Sequence, residues 1–149
     1  MNKVIKYVLI AFSGLLFWTC SVEPQPINYG SDACDFCKMT IVENRWASEI
    51  VTAKGRAYKY DAIECMMNYM NRKDISADEL ALLLVDDYSQ PGVLIDAYSA
   101  TYIISDSIPS PMGAFLSAFS KKEDAELTVA NKGGIAFDFD ELKIKYKVK

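Results

Sequence analysis

The sequence of 149 residues contains no histidine, the commonest metal ligand and general base in proteins. Its absence excludes Ser-His-Asp and Cys-His catalytic sites, and it excludes haem attachment through Cys-x-x-Cys-His. No basic patch with interleaved aromatic residues is present either, so nucleic acid is not an expected partner. No low-complexity tract interrupts the sequence, and 51% hydrophobic with 24% charged residues is typical of a globular protein. The length allows one domain, or two very small ones sharing a core.

The N-terminus has the pattern of an export signal. Lys3 and Lys6 precede an apolar run from Tyr7 to Trp18. This run is too short to span a bilayer comfortably, but it suits the apolar core of a signal peptide. We therefore expect a signal peptide over residues 1–19, with a plain secretory signal or an uncleaved anchor helix as alternatives.

Cys20 directly follows that segment and is followed by polar residues, which resembles a bacterial lipoprotein cleavage site. The bulky Phe17 and Trp18 depart from the usual small residues. We expect Cys20 to carry lipid and residues 20–33 to form a flexible, proline-containing tether. The protein is then anchored at the cell envelope facing the periplasm, and Ser21 favours the outer membrane.

The first part of the expected folded domain, which covers residues 34–149, contains a strand–strand–helix unit near residues 46–72. β-Branched residues predict a strand over 46–53, and alternation predicts a partner strand over 57–60. Asp61 and Glu64 have the spacing of a capping box, which predicts the start of a helix.

A second strand–strand–helix unit is predicted near residues 101–131. Residues 101–105 and 112–119 are strand-like, and Ser120 with Glu123 has the spacing of a second capping box. Gly133-Gly134 then ends the helix. Because one such unit is too small to bury a core, we predict an α+β fold of two ββα halves packed together.

The remaining segments give weaker patterns. Residues 82–88 and 93–95 are strand-like around a Pro-Gly turn, and residues 135–146 are expected to form extended or short terminal elements. Asp86 and Asp87 are expected to lie in a solvated turn, without binding a hard metal ion.

Three thiols remain if Cys20 is lipidated: Cys34, Cys37 and Cys65. Three cannot all pair within the chain, and a leftover thiol outside the cytoplasm needs a reason. Structural zinc and iron–sulfur sites normally need four Cys or His ligands, so both are disfavoured. Cu(I) accepts two or three sulfur ligands, including thioether, and the sequence supplies enough of them. The alternatives are a thiol–disulfide exchange protein that uses Cys34 and Cys37, and a lipoprotein interaction module with a structural Cys34–Cys37 disulfide. Exchange is disfavoured because no strand precedes the motif.

The methionines divide into two groups. Met66, Met67 and Met70 lie on the first predicted helix, where methionine usually fills the core. Met39 lies two residues after Cys37, and Met112 lies between Pro111 and Gly113 in a predicted turn. Both could supply a thioether to a copper site.

Four stretches, in this order, resemble the NosL family of lipoproteins that accompany nitrous-oxide reductase. They are Cys34-Asp35-Phe36-Cys37-Lys38-Met39, Tyr60-Asp61-Ala62-Ile63-Glu64-Cys65-Met66, Ser110-Pro111-Met112-Gly113 with Ala118-Phe119, and Gly133-Gly134. Each stretch is weak evidence alone, but the ordered set covers nearly the whole chain after Cys20 and is specific.

The resemblance implies a Cu(I)-binding lipoprotein that is not an enzyme. Such a protein delivers copper for assembly of the reductase's copper–sulfide centre, in partnership with a membrane ABC-type complex. It also implies two ββα halves. Carried over to this sequence, the copper ligands are Cys34 or Cys37 as thiolate, with Met112 and Met39 as thioethers. Cys65 and Met66 match the family's second motif, which leaves open whether they bind metal or pack.

Overall fold

The computed structural model of the protein describes residues 22–148. The predicted signal peptide and the lipid on Cys20 lie outside the described residues. Within them, two antiparallel sheets and three helices form the α+β fold that the sequence predicts. The elements in chain order are β1 (Ser48–Thr52), β2 (Ala57–Tyr60), α1 (Ile63–Lys73), a 3-10 turn (Ala77–Glu79), β3 (Leu80–Asp86), β4 (Leu94–Asp96), β5 (Thr101–Ile104), β6 (Leu116–Phe119), α2 (Lys122–Lys132), β7 (Ile135–Phe137) and α3 (Phe139–Tyr146).

The first ββα half is the predicted unit of β1, β2 and α1. β1 pairs with β2 on one side and with β3 on the other, so the sheet has the order β2-β1-β3-β4. Hydrogen bonds from Thr52 N to Arg56 O (2.9 Å) and from Gly55 N to Thr52 O (2.8 Å) close the β1–β2 turn. The left-handed φ of +77° at Gly55 explains the glycine there.

The second ββα half repeats this order with β5, β6 and α2. β5 is the central strand of a sheet ordered β6-β5-β7, and all of its pairings are antiparallel. α2 ends at Gly133, whose N–H donates to the Val129 carbonyl (2.8 Å), as the Gly-Gly pair predicts. The strand-like run 112–119 is shorter than expected, because residues 112–115 belong to a loop and β6 begins at Leu116.

Both predicted capping boxes are wrong, because tertiary contacts take the side chains that would have capped the helices. The N-cap of α1 is Ala62 and that of α2 is Lys121, and neither receives a side-chain cap. Glu64 instead accepts hydrogen bonds from the 110–115 loop, and Ser120 donates to Asp87 (2.5 Å).

The C-terminal segment forms β7 and then α3. Asp138 and Glu141 make the one complete capping box among residues 22–148, with Glu141 N donating to Asp138 Oδ1 (2.9 Å) and Asp138 N donating to Glu141 Oε2 (3.1 Å). Phe139 and Leu142 of α3 are buried in the core. Residues 142–146 are therefore helical, within the short terminal elements that were expected.

One apolar core joins the two halves. Side chains of β1, β3 and α1 share it with Tyr102 and Leu116 of the second sheet and with Leu142 of α3. Asp87 forms a parallel bridge with Ala118, and the Tyr88 N–H donates to the Ala118 carbonyl (2.8 Å). The prediction that the halves pack together is confirmed.

Residues 25–33, expected to be tether, contact the folded unit. Gln25 N donates to Glu49 Oε1 (2.8 Å), and the Tyr29 hydroxyl donates to Asp86 Oδ2 (3.0 Å). Asp86 also accepts from the Ala47 N–H (3.1 Å). Asp86 and Asp87 are both fully buried, so the expectation that they lie in a solvated turn is wrong. Burial raises the pKa of Asp86, and the hydrogen bonds from Tyr29 and Ala47 partly oppose this effect. The resulting pKa is about 6.

Candidate metal centre

The Cys34–Met39 segment folds into a tight turn that brings its two thiols together. Its ends are held by an antiparallel bridge between Ala33 and Thr40 and by a hydrogen bond from Cys34 N to Met39 O (2.8 Å). Lys38 N donates to Cys34 O (3.0 Å), and Lys38 has a left-handed φ of +68°. The turn therefore reverses the chain directly after Cys37. We call residues 34–39 the cysteine turn.

The cysteine turn is attached to β2, the strand that leads into α1. Asp35 N donates to Lys59 O (2.8 Å), and Lys59 N donates back to Asp35 Oδ2 (2.9 Å). β2 ends at Tyr60, and Cys65 lies in the first turn of α1, which begins at Ile63. The pairing of the turn with β2 therefore places Cys34 and Cys37 against the start of α1.

The three sulfur atoms of Cys34, Cys37 and Cys65 lie within 4.8 Å of one another, and all three are free thiols, so no disulfide joins Cys34 to Cys37. With a metal–sulfur distance of about 2.3 Å, a planar three-sulfur site has sulfurs roughly 4 Å apart, so the spacing fits one small soft cation. Cys34 and Cys65 are buried, whereas Cys37 is partly exposed. Cys37 therefore forms the solvent-facing side of the site.

Hydrogen bonds and burial shift the pKa values of the three thiols in different directions. The hydrogen bond from Cys65 lowers the pKa of Cys34 to about 5, against the opposing effect of burial, with further help from the N–H groups of Asp61, Cys37 and Phe36. The Cys37 N–H donates to the Cys34 sulfur over 3.5 Å. The same bond to Cys34, together with burial, raises the pKa of Cys65, and burial raises that of Cys37. The hydrogen bonds within the cluster therefore favour the thiolate form at Cys34 over the thiolate forms at Cys37 and Cys65.

Comparison with known proteins identifies the family of the chain. The NosL family model matches residues 26–147, which is most of the chain. The chain belongs to the NosL family. The resemblance stated from the sequence is therefore confirmed.

Two relatives within the family are informative. The chain is 27% identical over 128 residues to the copper-binding lipoprotein NosL of Stutzerimonas stutzeri, an alignment that covers 82% of this chain and 67% of the relative. It also superposes on the crystal structure of the copper chaperone NosL from Shewanella denitrificans with a TM-score of 0.70 at 23% identity, covering 81% of this chain and 96% of the other. The second match establishes the NosL fold.

None of the helices within residues 22–148 combines the length and apolar character needed to cross a bilayer.

The four predicted sulfur ligands other than Cys34 and Cys37 lie in different surroundings. Cys65, left open by the sequence, joins the thiol cluster. Met66, the next residue, is fully buried in the common core. Met39 is 55% exposed at the end of the cysteine turn. These placements separate Cys65 from Met66, although the two are adjacent in the sequence.

The fourth, Met112, is 41% exposed in the loop between β5 and β6. Two contacts hold this loop against α1: the Ser110 hydroxyl donates a hydrogen bond to Glu64, and Ala114 N donates to Glu64 Oε1 (3.3 Å). Glu64 precedes Cys65 in the chain, so the loop that carries Met112 is fastened to the first turn of α1, which also carries Cys65.

The sequence did not indicate that Glu64 would hold the Met112 loop against α1. Its carboxyl group is buried, and burial raises its pKa, which the hydrogen bond from Ser110 partly offsets. The pattern Asp-x-x-Glu suggested a helix cap. One feature of the sequence points to its actual contact: Glu64 is a charged residue among apolar residues of α1. These apolar residues form the buried face of the helix.

Proposed function

We propose that this protein is a metallochaperone that binds Cu(I) through the thiols of Cys34, Cys37 and Cys65. The observation that carries the proposal is the convergence of these three sulfurs within 4.8 Å, in a chain with no histidine. Thiolates are soft ligands that favour Cu(I), and three of them suffice for that ion. The copper-binding name of the Stutzerimonas stutzeri relative supports the same ion class.

The site is suited to transfer because its ligands differ in exposure. Cys34 and Cys65 hold the ion from the buried side, while the partly exposed Cys37 faces an incoming donor or acceptor. A sulfur of the acceptor can displace Cys37 first, so that the ion passes by ligand exchange without a change of oxidation state. Met112 and Met39 are exposed thioethers, and in this proposal they supply additional transient ligands.

This assignment requires no catalytic acid, base or nucleophile, and we propose that the protein is not an enzyme. Thiol–disulfide exchange needs an accessible thiolate. Here the thiol with the lowered pKa, Cys34, is fully buried, and the accessible Cys37 has a raised pKa. The geometry therefore supports metal binding better than exchange.

We further propose that the copper is delivered for assembly of the copper–sulfide centre of nitrous-oxide reductase, together with an ABC-type membrane complex. Lipid on Cys20 would hold the protein at the envelope, facing the periplasm and at the outer membrane. Membership in the NosL family supports these assignments.

Fractionation of cells that express the full chain or Cys20→Ala tests the anchor: the variant should leave the outer-membrane fraction. Copper content of the reductase made without this protein tests delivery, and an unchanged copper–sulfide centre would refute it.

Titration of the reduced mature protein with Cu(I), against a competing chelator, tests copper binding. One ion per chain is expected, with Cys37→Ser weakening the affinity and Met67→Leu serving as the matched control, since Met67 is a buried residue of the same core. Because Cys37 is partly exposed, its substitution leaves the core intact, which circular dichroism verifies. Equal affinities for wild type and Cys37→Ser would refute the three-thiol site.

A further inference from the structure

A cleft of about 500 Å³ adjoins the cysteine turn and has a mainly positively charged lining. It is bounded by the cysteine turn, the start of β2 and the last two turns of α1. Its cationic residues, which define what we call the basic cleft, are Lys38, Arg56, Arg72 and Lys73.

The positive charge of the basic cleft contrasts with the chain as a whole, whose formal net charge is −4. Asp35 is the one acidic residue in the lining, and its carboxylate accepts a hydrogen bond from the Lys59 N–H. All four cationic residues are exposed. Lys38 Nζ donates to the Asp35 carbonyl (2.6 Å), which leaves its charge without a carboxylate partner. The salt bridges found among residues 22–148 are made by other lysines, so these cations are available to an external anion.

The basic cleft and the thiol cluster share one structural element. Phe36, between the two cysteines of the turn, lines the cleft, and its N–H helps to stabilise the Cys34 thiolate. Lys38 directly follows Cys37, the exposed thiol. A ligand in the cleft would therefore lie near Cys37, the thiol at which copper enters or leaves in the proposed function.

We propose that the basic cleft docks an acidic segment of the protein that exchanges copper with the thiol cluster. This inference rests on the proposed function. Two aromatic side chains, Tyr58 and Tyr69, also line the cleft, and the Arg56 guanidinium lies 4.6 Å from the centre of the Tyr58 ring. Such a lining, with cations spread over three chain segments, fits several acidic residues of an extended peptide better than a single small anion.

The expected effect is on the rate of copper transfer, with little effect on copper affinity. Complementary charges raise association rates by about 10- to 1000-fold, and this gain falls with ionic strength. The cations lie outside the ligand set, so the equilibrium affinity should depend on them only weakly.

The test uses two synthetic acceptor peptides with the same Cys-x-x-Cys core, one flanked by glutamate and the other by glutamine. Transfer of Cu(I) from the loaded protein should be at least about 10-fold faster to the glutamate peptide at low salt, and this advantage should disappear at high salt. Equal rates to the two peptides would overturn the proposal.

A matched pair of variants locates the effect. Lys73 and Lys132 are each the last residue of an eleven-residue helix, α1 and α2. Lys73→Glu should slow transfer to the glutamate peptide about 3- to 10-fold, whereas Lys132→Glu should not. Equal slowing by both variants would show a general charge effect and refute docking at the cleft.

Two further measurements separate this inference from the proposed function and from other anions. Equilibrium Cu(I) affinity of each variant is measured first: no copper binding in the wild type refutes the proposed function, whereas normal binding with unchanged rates refutes only the docking.

The metal-free protein should also bind a cysteine-free glutamate peptide. Complete competition by millimolar inorganic phosphate, or tighter binding to phosphatidylglycerol vesicles through the same lysines, would overturn the acidic-protein assignment.

Discussion

The two ββα halves have the same order of elements, but their helices bury very different surfaces. α1 buries most of its length, including Cys65, whereas Ala125 is the one buried residue of α2. The buried face of α1 brings a thiol to the cysteine turn, and the exposed α2 carries no sulfur. The repeated unit therefore supplies the scaffold, while the chemistry depends on the depth at which a helix packs.

The halves also differ in what is added to them. The cysteine turn precedes the first half and pairs with β2, so two of the three thiols come from outside the repeated unit. The second half contributes the loop with Met112, fastened to α1 through Glu64. Substitutions in each half, in the N-terminal segment and at their junction can test this difference.

The largest effect is expected at Cys65, the thiol that the first half itself supplies. Cys65→Ser should weaken Cu(I) binding by more than about 100-fold, since even substitutions beyond the direct ligands cost about 10- to 100-fold. Met66→Leu, at the next position, should leave the affinity within about threefold, because Met66 fills the core. Competition titrations measure both, and similar losses in the two variants would place a thioether in the site.

The attachment of residues 25–33 to the first sheet should depend on pH through Asp86, the last residue of β3. Its pKa of about 6 lies above the unfolded value, so the folded state binds the proton more tightly and the stability from this group falls as pH rises from about 4 to 6. Asp86→Asn removes this loss. The stability of the variant relative to wild type should therefore rise by about 2–3 kcal/mol between about pH 4 and pH 7. Urea unfolding of both reduced proteins measures it, and a constant difference would contradict the assignment.

The connection between the halves should weaken in Ser110→Ala. This change removes the hydroxyl donor from Glu64 and leaves a buried carboxyl group underpaired, at an expected cost of about 1–3 kcal/mol. Ser107→Ala, at an exposed position in the same loop, is the control. Denaturant unfolding compares the two, and equal stabilities would show that this contact does not hold the loop.

The smallest effect is expected at the second half's own sulfur. Met112→Leu keeps the size of the side chain and removes the thioether, and it should weaken Cu(I) binding by less than about 10-fold. Competition titration measures the affinity. A loss as large as that of Cys65→Ser would show that Met112 is a full ligand and that the second half shares the site equally.

Patterns in the sequence predicted the strands and helices of both halves well, because these follow from residue periodicity and from glycine at Gly133. The capping boxes failed because a Glu or Ser at the right spacing is equally able to bond a distant partner, as Glu64 and Ser120 do. Asp86 was misjudged for the same reason. A charged residue in a strand–turn pattern does not show whether a tyrosine from another segment covers it.

Residue types alone define the class of chemistry: three thiols, no histidine and an ordered set of NosL-like motifs leave soft-metal binding as the best-supported function. Which sulfurs meet is a property of the folded chain, because Cys65 is separated from the cysteine turn by a hairpin that must fold before the thiols converge. The basic cleft also has no local signature, since its cations come from three segments. Long-range packing of this kind brings together residues that no local pattern relates.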